Sequence, residues 1–318
     1  MVASSPEMRI SQSVVASSPA SKMKSVVAVF LWLGTVNFVV FLVFLIIFVL
    51  PIRWSLTFSA ILFASVFMPL YEESIFAKRV SKFIYTHGCD YFPITLVMED
   101  ADAFDPTRTY IFAAEPHSVL PLGVIALHGL PLDKIKGLAS SAAFCTPFVR
   151  HIWTWLGLIP ASRKNLVENL KNGYSCILVP GGVKELMFMK HDCEVVYLKK
   201  RFGFIRIAVE TGSPVVPCFI FGQTRVYNWW RPEGKLYERL SSALRFAPML
   251  FWGKLWTPIP FSVPVCAVVG KPIEVTQNPN PTQDELLEVQ KSFISSLQEL
   301  YERHKVDLRY EGVPLHVY

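Results

Sequence analysis

Charge is scarce in this chain of 318 residues. Only 18% of the residues are charged, against 52% hydrophobic and 14% aromatic, and the mean hydropathy is +0.37. So apolar a composition excludes a disordered protein, a collagen or a disulfide scaffold. Basic blocks are missing as well. The formal charge is +6, but four of the 31 cations and one of the 25 anions lie in residues 1–71, so the remainder carries only +3. That balance argues against nucleic acid as the main partner and leaves an anionic membrane surface open. The six cysteines (Cys89, Cys145, Cys176, Cys193, Cys218 and Cys266) form no C-x-x-C pair and have no histidines at zinc-ligand spacing. No metal site is expected, and a reduced, cytosol-facing setting fits better than paired disulfides. Neither G-x-x-x-x-G-K-[ST] nor G-x-G-x-x-G occurs, which argues against nucleotide hydrolysis and dinucleotide binding. The G-x-S-x-G elbow of serine hydrolases is also absent, since Gly173-Tyr174-Ser175-Cys176-Ile177 lacks the last glycine.

What the chain does have is a long apolar run near its start. Residues 1–25, rich in Ser, Val and Ala with Pro6 and Pro19, read as a disordered cytosolic tail. Val26 to Leu50 then holds no charge; as a helix it is about 38 Å long, enough to cross a hydrocarbon core of about 30 Å. A second apolar stretch, Ser55 to Tyr71, follows Pro51 and Arg53. At about 26 Å it is marginal as a span. Lys22 and Lys24 precede the pair, and Lys78, Arg79 and Lys82 follow it. Both flanks therefore read as cytoplasmic, and residues 26–71 as a transmembrane or re-entrant hairpin, with an interfacial wedge as the alternative. The run is too long and starts too late for a signal peptide.

From residue 72 to 318 the pattern changes to that of an α/β domain facing the cytosol. Apolar, β-branched runs recur at 94–98, 109–115, 175–180, 193–198, 214–222 and 265–270, alternating with helical stretches at 146–156, 162–172 and 202–211. The spacing predicts a mixed or largely parallel sheet with flanking helices. Thr282 and Glu285 make a capping box for a last helix whose inner face carries Leu286, Phe293, Leu297 and Leu300. Residues 240–261, aromatic, cationic and broken by prolines, fit either a membrane interface or the edge of the core.

Two loops carry the candidate chemistry. His117 follows the strand TYIFAAE within Glu115-Pro116-His117-Ser118, and the carboxyl end of a strand is where open α/β sheets place their reactive groups. A turn histidine is the plainer reading. Pro180-Gly181-Gly182 follows SCILV and precedes Glu185; two glycines allow backbone N–H groups to approach a phosphate or an oxyanion, although a plain turn also explains them. A histidine base, a nearby acid and a glycine turn behind a membrane anchor suit acyl transfer by direct attack of an alcohol.

Several ordered blocks together resemble the type-2 diacylglycerol acyltransferases, in particular their plant members. These are Tyr91-Phe92-Pro93, Pro116-His117, Pro180-Gly181-Gly182 with Glu185, Arg201-Phe202-Gly203-Phe204, and VGKPIEV at 269–275. The resemblance runs from about Phe30 onward. It implies a glycerolipid acyltransferase-like fold and an endoplasmic-reticulum enzyme that moves a fatty acyl group from acyl-CoA to diacylglycerol, with acyl-CoA as co-substrate and no separate cofactor. Glycerolipid acyltransferases carry a His-x4-Asp motif; here Ser118, Val119, Leu120, Pro121 and Leu122 follow His117 with no aspartate, so Glu185 or Glu115 is expected to orient His117. The glycines at 181 and 182 are expected to hold the oxyanion. Arg163, Lys164, Lys200, Arg201 and Gly203 are candidates for the CoA phosphates, or else a solvated charge run. Phe30, Leu31, Leu33 and Asn37 match a pattern proposed for neutral-lipid contact, which ordinary packing explains equally, and Tyr91, Phe92 and Pro93 are grouped with them. Monoacylglycerol or a long-chain alcohol as acceptor, and a non-catalytic lipid-binding protein, remain as rivals. Oligomeric state, a homo-oligomer included, and residence on lipid droplets are not legible.

Overall fold

The computed structural model describes residues 8–11, 19–244 and 247–318. In chain order the strands are β1 (Met8–Ser11), β2 (Ile94–Met98), β3 (Ile111–Glu115), β4 (Ile135–Ala139), β5 (Leu158–Pro160), β6 (Ser175–Leu178), β7 (Glu194–Val196), β8 (Val215–Phe221), β9 (Asn228–Trp230), β10 (Leu250–Trp252), β11 (Val265–Val269) and β12 (Leu315–Val317). The α-helices are α1 (Pro19–Val29), α2 (Thr35–Phe48), α3 (Ile52–Phe67), α4 (Ile75–Tyr91), α5 (Val149–Trp155), α6 (Arg163–Lys171), α7 (Val183–Leu186), α8 (Gly203–Thr211), α9 (Lys235–Leu244) and α10 (Gln283–His304). They divide into two compact units. One holds β1, Ile94–Gly137 and Arg163–Tyr318; the other holds the helices before Pro93 together with Leu138–Ser162.

The first unit is built on a mixed sheet in the order β1-β2-β11-β8-β3-β6-β4. Strands β8, β3, β6 and β4 run parallel, β11 turns antiparallel to β8, and β2 runs parallel to β11. The central strands are the Val/Ile/Phe runs because a strand covered on both faces has no side to leave polar, and every residue of β3, β8 and β11 is buried. Alternation along β8 shows the two covers. Phe219 and Phe221 meet Tyr301 of α10 at 4.8 and 5.4 Å between ring centroids. Ile220, pointing the other way, packs on Gly123 in a 3-10 stretch, Leu122–Gly129. Helix α10 starts at the expected capping box, with the Thr282 hydroxyl accepting from the Glu285 N–H and the Glu285 carboxylate accepting from the Thr282 N–H. Its buried face includes Leu286, Phe293, Leu297 and Leu300, as the spacing predicts.

The second unit is mainly helical. Ser21–Phe48 forms one apolar helix of 28 residues, with a π turn at Phe30–Gly34, and α3 is a shorter apolar helix of 16. Large apolar side chains stay uncovered along both, including Phe41, Phe44, Phe48 and Phe63. Within the stretch read as a disordered tail, β1 pairs antiparallel with β2 and α1 begins at Pro19; residues 1–7 and 12–18 lie outside the described residues. Of the block grouped with the lipid contacts, Tyr91 and Phe92 are buried and Pro93 is half-buried, and the Phe92 ring meets Trp32 edge-on at 6.3 Å. Leu33 is buried too, while Phe30 is exposed and Leu31 and Asn37 are partly covered.

Residues 240–261 divide between the two readings offered for them. Ser241 and Ala247 are buried, whereas Leu250, Leu255 and Trp256 are exposed and the Trp252 and Trp256 rings stack at 4.9 Å. Residues 245 and 246 lie outside the described residues.

Candidate active site

Three neighbouring parallel strands deliver the site. The chain leaves β3 at Glu115 into Pro116-His117-Ser118, leaves β6 into Pro180-Gly181-Gly182, and leaves β8 into Gly222-Gln223-Thr224. Strands that run parallel end at one edge, so loops 40 or more residues apart in sequence meet there.

Glu115 and Glu185, both fully buried, tie the first two loops together. The Gly181 N–H donates to Glu115 at 2.7 Å, the His117 N–H donates to Glu185, and the Tyr197 N–H donates to Glu185 at 3.3 Å. Burial pushes both carboxyl groups above the usual range, and the neighbouring Glu185 charge pushes Glu115 further. The glycines follow from this crowding. A Cβ on Gly181 would sit 2.2 Å from a Glu185 oxygen, and Gly182 lies at φ +55°, ψ −157°, a region that side chains other than hydrogen rarely enter.

Gln223 secures the third loop. Its amide donates to the Pro116 carbonyl oxygen at 2.5 Å and accepts from the Gly123 N–H at 2.7 Å. Arg201 crosses from the segment before α8 to donate to the Gly181 carbonyl oxygen at 2.5 Å, with its guanidinium 5.2 Å from the Tyr197 ring centre.

His117 is partly exposed at this edge, and its Nδ1 lies 2.8 Å from the Ser118 carbonyl oxygen. A carbonyl only accepts, so Nδ1 carries the proton and Nε2 keeps its lone pair. Burial, and secondarily the Arg201 charge, hold the imidazole below the ordinary histidine range. Two expectations change here. Glu185 does not face the ring; it holds the backbone of His117, and the ring's own partner is a main-chain carbonyl. The Gly181 N–H is committed to Glu115, so it is not a free donor for an oxyanion.

The expected CoA contacts do not gather in one place. Arg163 is paired with Glu210 at 2.5 Å, in the last turn of α8, whereas Lys200 and Arg201 precede that helix and Gly203 opens it, about 10 Å from Glu210 along its axis. Lys164 and Lys200 are exposed. Sequence reasoning missed Glu194, 4% exposed, whose Oε1 accepts the Thr224 hydroxyl at 2.6 Å. Burial, reinforced by the Glu185 charge, pushes its carboxyl up to about 7. The signal was present: an acid inside the apolar run CEVVYL. Among the described residues, no group of three or more His, Cys, Asp or Glu side chains is placed to hold a metal ion.

Fold and site together define a mixed α/β protein with a histidine and a buried carboxyl pair at the carboxyl edge of its sheet. The chain belongs to the diacylglycerol acyltransferase family, which matches residues 45–315. It is 28% identical to diacylglycerol O-acyltransferase 2 of Dictyostelium discoideum over 283 residues, covering 81% of this chain and 84% of that one. It is 31% identical to diacylglycerol O-acyltransferase 2 of Danio rerio over 248 residues, 70% of this chain and 67% of that one. A human protein named acyl-CoA wax alcohol acyltransferase 2 is 28% identical over 244 residues, 70% and 73% of the two chains.

Proposed function

We propose that the chain is an acyl-CoA:diacylglycerol O-acyltransferase that makes triacylglycerol by direct transfer, with His117 as its base. Family membership supports the reaction. The observation that carries the mechanism is the state of His117: a neutral ring, with Nδ1 committed to Ser118 and Nε2 free at the carboxyl edge. The hydroxyl oxygen of diacylglycerol attacks the thioester carbonyl carbon while its proton passes to Nε2. The tetrahedral adduct then expels the CoA thiolate, which takes that proton back, leaving triacylglycerol and CoA. Glu185 and Glu115 act as positioning residues that fix the His117 backbone and the glycine turn.

The same reading places the enzyme in the endoplasmic reticulum membrane with its catalytic unit in the cytosol. Ser21–Phe48 is long and apolar enough to cross a membrane, and its uncovered phenylalanines suit lipid. Leu255 and Trp256, exposed on a loop, suit the interface.

The test is to supply microsomes from a triacylglycerol-deficient host, expressing the chain or its His117→Ala variant, with labelled acyl-CoA and a panel of acceptors. Label should enter triacylglycerol with the unaltered chain, and the variant, still folded and membrane-bound, should lose at least about a hundredfold in turnover. Label in wax ester or in diacylglycerol made from monoacylglycerol would replace the acceptor. Transfer to no acceptor would favour a non-catalytic lipid-binding role.

A further inference from the structure

A cavity of about 320 Å³ opens at the carboxyl edge, lined by Pro116 and Ser118 on either side of His117 and by Glu185, Glu194, Thr224 and Arg225 among others. One atom facing this region is out of balance. Glu194 Oε1 is held by Thr224, but Oε2 is buried and has no hydrogen-bond partner. The cations on the same cavity are already engaged. The Arg225 guanidinium lies 3.9 Å from the Tyr310 ring centre and donates to the Arg309 carbonyl oxygen at 3.1 Å, and Lys190 Nζ lies 5.8 Å from the Tyr318 ring centre. A buried acceptor left unpaired is costly, and at the mouth of a site it asks for a donor that arrives with the ligand.

We propose that Glu194 docks the acceptor alcohol: its Oε2 receives the hydroxyl of the lipid alcohol and holds that oxygen in the cavity beside His117. The inference rests on the acyltransferase reading above and names which group binds its second substrate. Chemistry favours the alcohol over the nucleotide end of CoA. Diacylglycerol has a single hydrogen-bond donor, its free hydroxyl, because both esters only accept. The phosphates of CoA would meet repulsion from Glu194 and from Glu185 nearby. Size agrees as well, for the cavity lies at the low end of ligand pockets, suited to a glycerol head with its acyl chains leaving through the opening. A hydroxyl bound this way rests with its proton toward Oε2 and its lone pairs free, and that one proton turns to His117 Nε2 as the oxygen attacks.

The test compares the unaltered chain with Glu194→Ala, Glu194→Leu and Glu194→Gln in the same microsomes, titrating diacylglycerol and acyl-CoA separately. Glu194→Ala should raise KM for diacylglycerol about tenfold or more and leave KM for acyl-CoA within about twofold, whereas Glu194→Gln, which keeps an oxygen acceptor, should stay within about threefold. Glu194→Leu fills the volume without a buried charge and covers the case in which the alanine variant does not fold. A propanediol diester lacking the free hydroxyl supplies a second readout as competitor. The unaltered enzyme should bind it about tenfold more weakly than diacylglycerol, and Glu194→Leu should bind the two equally. An unchanged KM for diacylglycerol in the alanine and leucine variants, or a rise confined to acyl-CoA, would overturn the inference alone. No triacylglycerol from the unaltered chain would instead overturn the function on which it rests.

Discussion

Three acids, Glu115, Glu185 and Glu194, are buried within one small region, and all three are pushed above the usual carboxyl range by that burial. Each binds its proton more tightly in the folded chain than in the unfolded one, so stability is present at low pH and is lost as pH rises through the folded value. For Glu194 that window runs from its ordinary value of 4.5 to about 7. Melting of the purified protein should therefore shift to lower temperature between about pH 5 and about pH 8, and Glu194→Gln should flatten that slope without reversing it, since the other two acids remain. Circular dichroism melts across the range check this. His117, Gly181 and Gly182 stand out in the sequence because each lies just past the end of an apolar strand, where a core has no use for it. Gln223 was not, since nothing local distinguishes a glutamine whose two partners lie about a hundred residues upstream. The role of Glu185 was misjudged for a related reason: spacing places an acid near a histidine, but only coordinates tell whether it meets the ring or the backbone.

Helix α10 is the element whose boundary was fixed locally. Its N-terminus is closed by Thr282 and Glu285 on one turn, and its inner face stacks on β8. Thr282→Ala removes the acceptor for the Glu285 N–H and should lower unfolding free energy by about 1 kcal/mol with catalysis at saturating substrate unchanged. A denaturant titration measures the first and the microsomal assay the second. The strands that sequence reveals are those whose residues are buried on both faces, such as β8 and β11, because an unbroken β-branched run carries its own signal. Strand β4, with Gly137 at its centre and mostly half-buried residues, has no such run and is set by its register with β6. Strands of three residues, such as β9 and β10, exist only through their partner. Helix α4, capped by Ser74, carries Lys78, Arg79 and Lys82 along with its buried residues, and those charges mask its period when the sequence is scanned for apolar runs.

For the whole molecule, helix length and flanking charge decide how the apolar N-terminal segment meets a bilayer. Ser21–Phe48 spans about 42 Å as a helix, whereas α3, with 16 residues, reaches about 24 Å, short of a hydrocarbon core of about 30 Å. The charge flanks nevertheless ask for an even number of passes or a re-entrant turn. Epitope tags placed before Lys22 and after Lys82 should both be cut by protease added to intact microsomes; protection of one would mean a single crossing. In the catalytic unit, the strand that carries Glu194 has its ladder partner at the other end of the sequence: β12 lies parallel to β7, and the Tyr318 N–H donates to the Val196 carbonyl oxygen at 2.9 Å. During synthesis, β3 and β6 leave the ribosome well before Leu315 does. The histidine and the glycine turn can come together while translation continues, but the strand bearing Glu194 lacks its ladder partner until residues 315–318 emerge, so the cavity wall is completed later than the histidine and the glycine turn.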